Sequence, residues 1–480
     1  MIVLKFGGTS VGDAARVAEA CTIVESQPSP RAVVVSAASG VTNLLLEAAG
    51  VASQSKPDDL SRIVNAIREK HFGIAAGITD ENERAAALAA LDQLHAALDA
   101  ALIDVAAAGI LSKRDSDRIV ATGEKSMSVL FAANLRARGT AAAHVFADRV
   151  IATDDRFSAA RPDRVRTRAA SDDVVRPLLG QGCTVVMTGF IGFAPDGSTT
   201  TLGRGGSDYS STLLGAALEA DEVQIWTDVP GVLSADPRQV PDARVVPAIS
   251  FDEAQELAHF GAKVLHPRTI RPAVALGIPV RILSTFAPNE PGTIVTRESS
   301  GDSVKAVTAM KGLMLLTIDV PELEDLAAAA ALVFGQLSLD RVEIVQVSQA
   351  SSRRRMTYLV DGSAGGCSRV TRRIEDALRD SDASVGCTED VAVVAAVGEG
   401  ASAQPAALAK MLGLLDRAGV PVLASSQQAN NVALVAAVPG RFAAKAVETL
   451  HEAFIGQQAA SSKARRPRRS RLLGESVRVG

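Results

Sequence analysis

Aromatic residues are scarce in this chain: they make up 3% of 480 residues, and Trp226 is the single tryptophan. That is too few for a stacking platform that reads bases or sugars. An excess of one charge is also missing, because 50 Lys and Arg stand against 54 Asp and Glu for a net charge of −4. The balance excludes a globally basic nucleic-acid binder. The four cysteines (Cys21, Cys183, Cys367, Cys387) contain no CxxC pair, so neither a zinc site nor a disulfide framework is expected and a reducing cytoplasm fits. Histidines number six, and His259 and His266 do not have the H-E-x-x-H spacing. Metal-dependent hydrolysis and serine-type acyl transfer are both unsupported. No apolar run approaches the ~20 residues of a membrane span. The opening Met1-Ile2-Val3-Leu4 lacks the basic flank and long apolar core of a signal peptide. A cytoplasmic protein without membrane or nucleic-acid partners is expected.

What is present is apolar and aliphatic. Hydrophobic residues make up 47% and charged ones 22%, enough to fill large cores in roughly two to four domains. Up to Arg297, short β-rich runs (Ile2–Phe6, Ala32–Ser36, Thr184–Thr188, Val223–Thr227, Pro279–Leu283) alternate with helical stretches such as Asn82–Ala107 and Ser116–Arg138. This rhythm predicts an α/β domain over 1–297, with a mainly parallel sheet sandwiched by helices. After the polar stretch 297–303 the order becomes strand, helix, strand, strand, helix, and it occurs twice. The two βαββα units are predicted over 298–385 and 386–456. Residues 457–480 lose periodicity, and Lys463, Arg465, Arg466, Arg468, Arg469 and Arg471 mark them as a basic, solvated tail without fixed structure.

Two glycine-rich turns carry the clearest chemistry. Lys5-Phe6-Gly7-Gly8-Thr9-Ser10 stands where the first strand ends, and such a turn lets backbone N–H groups cradle phosphate oxygens beside a mobile cation. The lysine precedes the glycines, so this is not a Walker A loop, and a tight turn with a solvent-facing lysine explains it equally well. Gly203-Arg204-Gly205-Gly206-Ser207-Asp208 precedes the helical run Tyr209–Leu218, whose N-terminus attracts anions while Arg204 offers a fork for a carboxylate or phosphate. Ser207 and Asp208 serve equally as ordinary helix caps. Together, two glycine turns each flanked by a cation imply a site for two anionic partners. Trp226-Thr227-Asp228-Val229-Pro230-Gly231 adds a loop at a strand's carboxyl end, where α/β sheets bind ligands. Ser250-Phe251-Asp252-Glu253 reads as a capping box for the helix leading to Lys263, a residue that position alone assigns neither to a phosphate nor to the surface.

These blocks, with Ser36 to Thr42-Asn43, Gly123-Glu124, Thr201-Leu202 and Gly261-Ala262-Lys263-Val264-Leu265-His266-Pro267, resemble the aspartate kinases. The resemblance runs in order from Met1 to about Ile455. It implies the amino-acid kinase fold followed by two ACT domains that sense amino acids. It also implies transfer of the ATP γ-phosphoryl group, with Mg²⁺, to the side-chain carboxylate of L-aspartate. The product would be 4-phospho-L-aspartate, which opens lysine, threonine and methionine biosynthesis. By the same resemblance Lys5 meets the transferred phosphoryl group over Gly7 and Gly8, and Asp208 orients Lys5. Ser36, Thr42, Glu124, Arg204 and Ser207 hold the aspartate. Thr227, Asp228, Leu233, Arg238, Lys263 and Val264 line the nucleotide site, and no protein ligand to a metal is assigned. A homo-oligomer is expected, since ACT sheets pair between chains.

The sequence also departs from the family. Leu233-Ser234 replaces the usual Tyr-Thr start of the loop after Val232, removing a hydroxyl contact to the nucleotide. Altered turns at Pro321–Ala327, Val347–Arg355 and Ser425–Asn431 imply weak feedback or another effector. Two other readings stand beside the first: a catalytically silent amino-acid sensor, and a different acid-accepting kinase.

Overall fold

A computed structural model describes residues 1–456, apart from 55, 263–265, 299–300, 302, 321–325, 351–353, 363–365, 380–381, 400–405 and 428–430. The chain forms two units. The first comprises Met1–Leu233 and Arg244–Ser300; the second comprises Ser234–Ala243 and the chain from Gly301 onward.

In the first unit the strands are β1 (Ile2–Phe6), β2 (Arg31–Val35), β3 (Ala142–Val145), β4 (Thr184–Thr188), β5 (Ile191–Phe193), β6 (Thr199–Thr201), β7 (Glu222–Thr227), β8 (Ala248–Ser250), β9 (Val280–Ser284) and β10 (Thr293–Thr296). Eight of them make one sheet in the order β3-β4-β2-β1-β7-β9-β10-β8, while β5 and β6 form a separate hairpin. Every pairing in the large sheet is parallel except β9 with β10, as the strand-helix rhythm predicts. The helices are α1 (Ala14–Ser26), α2 (Val41–Ser53), α3 (Pro57–Ala75), α4 (Glu81–Ala108), α5 (Lys113–Ala137), α6 (Arg164–Gly180), α7 (Gly206–Leu218), α8 (Phe251–His259) and α9 (Pro267–Leu276). The Ser250 capping box is formed, with side chain and backbone satisfying each other reciprocally.

Strand alternation sends neighbouring residues of β1 to opposite faces. Leu4 and Phe6 enter a core shared with α1, α2, α4 and α5. Val3 lies on the other face, close to Gly215 of α7, and Lys5 must therefore point to the α7 side. Among the described helices α4 alone is long and apolar enough to cross a membrane. It packs on α5 and α2 instead, burying Leu91, Leu98, Leu102 and Val105.

The second unit has β11 (Ala306–Asp319), α10 (Leu326–Leu339), β12 (Ile344–Ala350), β13 (Arg355–Asp361) and α11 (Cys367–Ala377). The order then recurs as β14 (Ser384–Val397), α12 (Ala407–Arg417), β15 (Ala424–Gln427), β16 (Ala433–Pro439) and α13 (Ala443–His451). A single antiparallel sheet runs β12-β13-β11-β14-β16-β15. The repeats therefore join edge to edge through β11 and β14, and each keeps its own helical core, around Val333 and Ile374 in one and Met411 and Leu415 in the other. Mutual pairing of β11 and β14 extends them to 14 residues each.

Two features contradict or escape the sequence reading. Cys367, at the start of α11, forms a disulfide with Cys387 on β14, Cα–Cα 5.8 Å, although no disulfide was expected. Sequence spacing conceals that α11 packs on β14. The segment 234–243 folds with the second unit: the Ser234 carbonyl accepts from the Val307 amide at 2.8 Å, its hydroxyl bonds His451 Nε2 at 2.9 Å, and Ala235 and Val240 are buried beside α12 and α13.

Candidate active site

Parallel pairing aligns the carboxyl ends of β4, β2, β1 and β7, because Phe6 lies opposite Val35 and Trp226 while Val35 lies opposite Thr188. The next residues, Gly189, Ser36, Gly7 and Thr227, form one row at this edge. The row is tied by the amides of Gly7 to the Trp226 carbonyl (3.1 Å), Ser36 to Phe6 (3.1 Å) and Gly189 to Val35 (2.8 Å). An open α/β sheet binds ligands at such an edge, and here adjacent strands lead into separate loops.

Lys5 is nearly buried, and its Nζ lies 2.6 Å from Asp208 Oδ1. The ammonium also sits over the glycine turn, 3.5 Å from where a Cβ on Gly7 would be. The Ser39 amide donates to the Gly8 carbonyl at 3.1 Å, drawing the loop after β2 against the turn. A solvent-facing lysine is therefore not what the structure contains.

Asp208 is the third residue of α7. The helix starts at a left-handed N-cap, Gly205 (φ 69°), with no side-chain cap, so neither Ser207 nor Asp208 is the cap that the sequence left open. Gly203 is also left-handed at φ 78°, a conformation that costs any residue with a Cβ. The two glycines turn the chain so that Arg204 is exposed and Ser207 half-buried. Gly189 receives the first turn of α7, since a Cβ there would come within 2.7 Å of the Ser207 side chain.

Glu124 comes from the buried middle of α5. Its Oε1 accepts from the Ala37 amide at 3.2 Å, and its Oε2 has no partner among the described residues. Burial pushes its carboxyl up to about 8, against the lowering effect of the Ala37 hydrogen bond. At neutral pH a carboxyl in this state is mostly protonated, and a cation beside it would favour its ionised form. Thr42 is half-buried on α2.

At the β7 end, the Thr227 hydroxyl donates to Asp228 Oδ1 at 3.1 Å, and the Thr227 carbonyl accepts from the Thr285 amide and hydroxyl at 2.9 and 3.1 Å. Ser10 Oγ reaches Thr285 Oγ1 at 3.1 Å, linking this loop to the first glycine turn. Leu233 is half-buried and bridges Val245. Arg238 lies in the segment that folds with the second unit, exposed and forked onto Asp236. Lys263 and Val264 lie outside the described residues, as do the turn at 321–325 and parts of the other altered turns.

Sequence reasoning missed Asp117. This buried residue, two turns before Glu124, accepts from the amides of Ser158 and Thr201 at 2.8 Å each and from the Thr201 hydroxyl at 2.8 Å. It fastens the 155–161 loop beside the Gly203 turn. The only sequence signal is an acid on the apolar side of a long helix.

Comparisons with known proteins agree with this geometry. The pattern of the amino acid kinase family matches residues 1–284, and that of the ACT domain matches residues 394–454. The chain is 33% identical to the lysine-sensitive aspartokinase 3 of Escherichia coli over 94% of this chain and 98% of that protein. It superposes on the crystal structure of E. coli aspartokinase III in complex with aspartate and ADP with a TM-score of 0.78, at 32% identity, over 94% of this chain and 99% of that one. A bifunctional aspartokinase/homoserine dehydrogenase of Daucus carota is 31% identical over 94% of this chain, which spans 50% of that protein.

Proposed function

The chain belongs to the amino acid kinase family, among its aspartokinases, and from that premise we propose that it transfers the γ-phosphoryl group of ATP to the β-carboxylate of L-aspartate. The product is 4-phospho-L-aspartate, the first intermediate towards lysine, threonine and methionine. The observation that carries this reading is the Lys5–Asp208 pair at the carboxyl edge of the sheet, above the glycine turn.

The acceptor explains why so few ionisable groups suffice. A side-chain carboxylate has a free pKa of about 3.9, so it arrives deprotonated and no general base is needed. The obstacle is repulsion between two anions, which calls for positive charge and alignment. Lys5 supplies the charge at the transferred group, the Gly7-Gly8 turn lies beneath the phosphates, and the uncapped N-terminus of α7 adds its dipole. Asp208 is the positioning residue for Lys5. Its carboxylate is committed to that ammonium and therefore unavailable as a base.

Aspartate has three charged groups, and the edge offers a partner for each end. Arg204 takes the α-carboxylate, supported by Ser207, and Glu124 takes the ammonium through the oxygen that has no partner. Ser36 and Thr42 close this side. Thr227, Asp228, Leu233, Lys263 and Val264 are assigned to the nucleotide. Among the described residues no three metal-binding side chains converge. A Mg²⁺ held mainly by nucleotide phosphates and water would neutralise phosphate charge.

We assign residues 1–297 to catalysis and the repeats 298–385 and 386–456 to amino-acid sensing, in a homo-oligomer of the cytoplasm, where ATP, Mg²⁺ and aspartate are supplied. Trapping the product with hydroxylamine tests the reaction. Aspartyl hydroxamate should form with ATP and Mg²⁺, far faster than glutamyl hydroxamate. A folded protein that yields none refutes the assignment.

A further inference from the structure

An open cavity of about 540 Å³ in the first unit, lined mostly by exposed side chains, contains none of the residues assigned above. Its walls include Lys113, Asp155, Arg156, Phe157, Arg161 and Arg268, so four cations face a single acid. They come from three separate places: the first turn of α5, the loop 155–161 and the first turn of α9. The loop is fixed in position. Asp117 holds the Ser158 amide at 2.8 Å, and the Arg161 amide donates to Asp154 Oδ1 at 2.8 Å.

Most of this positive charge is unspent. Arg156 lies 3.4 Å from Asp154, whereas Lys113, Arg161 and Arg268 make no ion pair among the described residues. Arg268 lies over the Tyr209 ring, 5.7 Å from its centroid, which aims it along the start of α7. Lys113 and Arg268 also stand at helix N-termini, where the dipole favours anions and opposes cations. Folding alone gains nothing from that placement. A bound anion would turn it to advantage.

Guanidinium forks match phosphoryl oxygens in geometry as well as charge. The volume exceeds what bare phosphate needs, and Phe157 and Ala159 provide an apolar wall. We propose that this cavity binds a small organic phosphate monoester at a site separate from the reaction centre.

The test is calorimetric titration of the full chain with glycerol 3-phosphate at low salt, with ADP and aspartate saturating the reaction centre. One molecule should bind per chain, while glycerol should not bind. Combining Arg161→Ala with Arg268→Ala should weaken binding at least tenfold. Asp155→Asn, which removes the one opposing carboxylate, should tighten it several-fold, a gain that a folding defect cannot produce. No binding to the saturated protein, or equal affinity in wild type and Asp155→Asn, would overturn the site. Equal binding of succinate would overturn its assignment to phosphate.

Discussion

Replacing Glu124 with Gln should stabilise the protein while disabling it. The native carboxyl is held near 8 by burial, against 4.5 for the free group. A raised native pKa means that the contribution to stability is complete below pH 4.5 and is lost as pH rises through 8, because the unfolded chain releases the proton first. At pH 7 the gap from 4.5 is 2.5 pH units, or about 3 kcal/mol at ~1.4 kcal/mol per unit. Glutamine is the isostere of the neutral acid: its carbonyl can accept from the Ala37 amide, and its NH₂ would occupy the place of the unpartnered Oε2. That NH₂ has one more unmet donor than the acid, a cost of about 1 kcal/mol, which leaves a net gain of roughly 2 kcal/mol at pH 7 and none near pH 4.5. Denaturant unfolding of both proteins at pH 5, 7 and 9 measures the difference, which should grow with pH. In the same variant the aspartate KM should rise by about two orders of magnitude, as expected when a buried charge partner is lost, with little change in the ATP KM. Equal destabilisation at all three pH values would show that the native carboxylate is already ionised, and the reasoning would fail.

Lys5→Met should lower kcat by about 10²–10³-fold, the usual cost of removing one electrostatic donor, in a protein whose circular dichroism is unchanged; near-normal turnover would remove Lys5 from the mechanism. Arg204→Ala should raise the aspartate KM at least tenfold and the ATP KM much less, and equal effects would show that the carboxylate assignment is wrong. Away from the site, His71 Nδ1 and His95 Nε2 approach to 2.9 Å in the core between α3 and α4. Burial holds His71 down at about 3, against 6.5 for the free imidazole, with His95 adding to the effect. Its contribution is therefore complete above pH 6.5 and is lost as pH falls towards 3, a loss of about 2 kcal/mol by pH 5. His71→Phe should flatten the decline in stability between pH 7 and pH 5, as followed by denaturant unfolding; an unchanged slope would exclude the pair as its source.

Much of this protein is local and so was legible in the sequence. Apolar runs of about five residues placed β1 and β4 at their observed limits, and the capping box marked the start of α8, because strand alternation and helix capping act over a few neighbours. Family motifs named Lys5, Glu124, Arg204 and Asp208, but no pattern could distinguish a cap at Asp208 from a partner for Lys5. The turn through Gly203 and Gly205 made that choice by moving the N-cap to Gly205. Contacts between distant residues were decided only in three dimensions. Asp117 became the clasp of a loop forty residues away, Cys367 met Cys387, β11 and β14 lengthened by pairing with each other, and 234–243 left its neighbours for the second unit. Each depends on which surfaces meet after the helices and sheets have formed, and burial then decides which charges are kept, which are paired and which stay protonated.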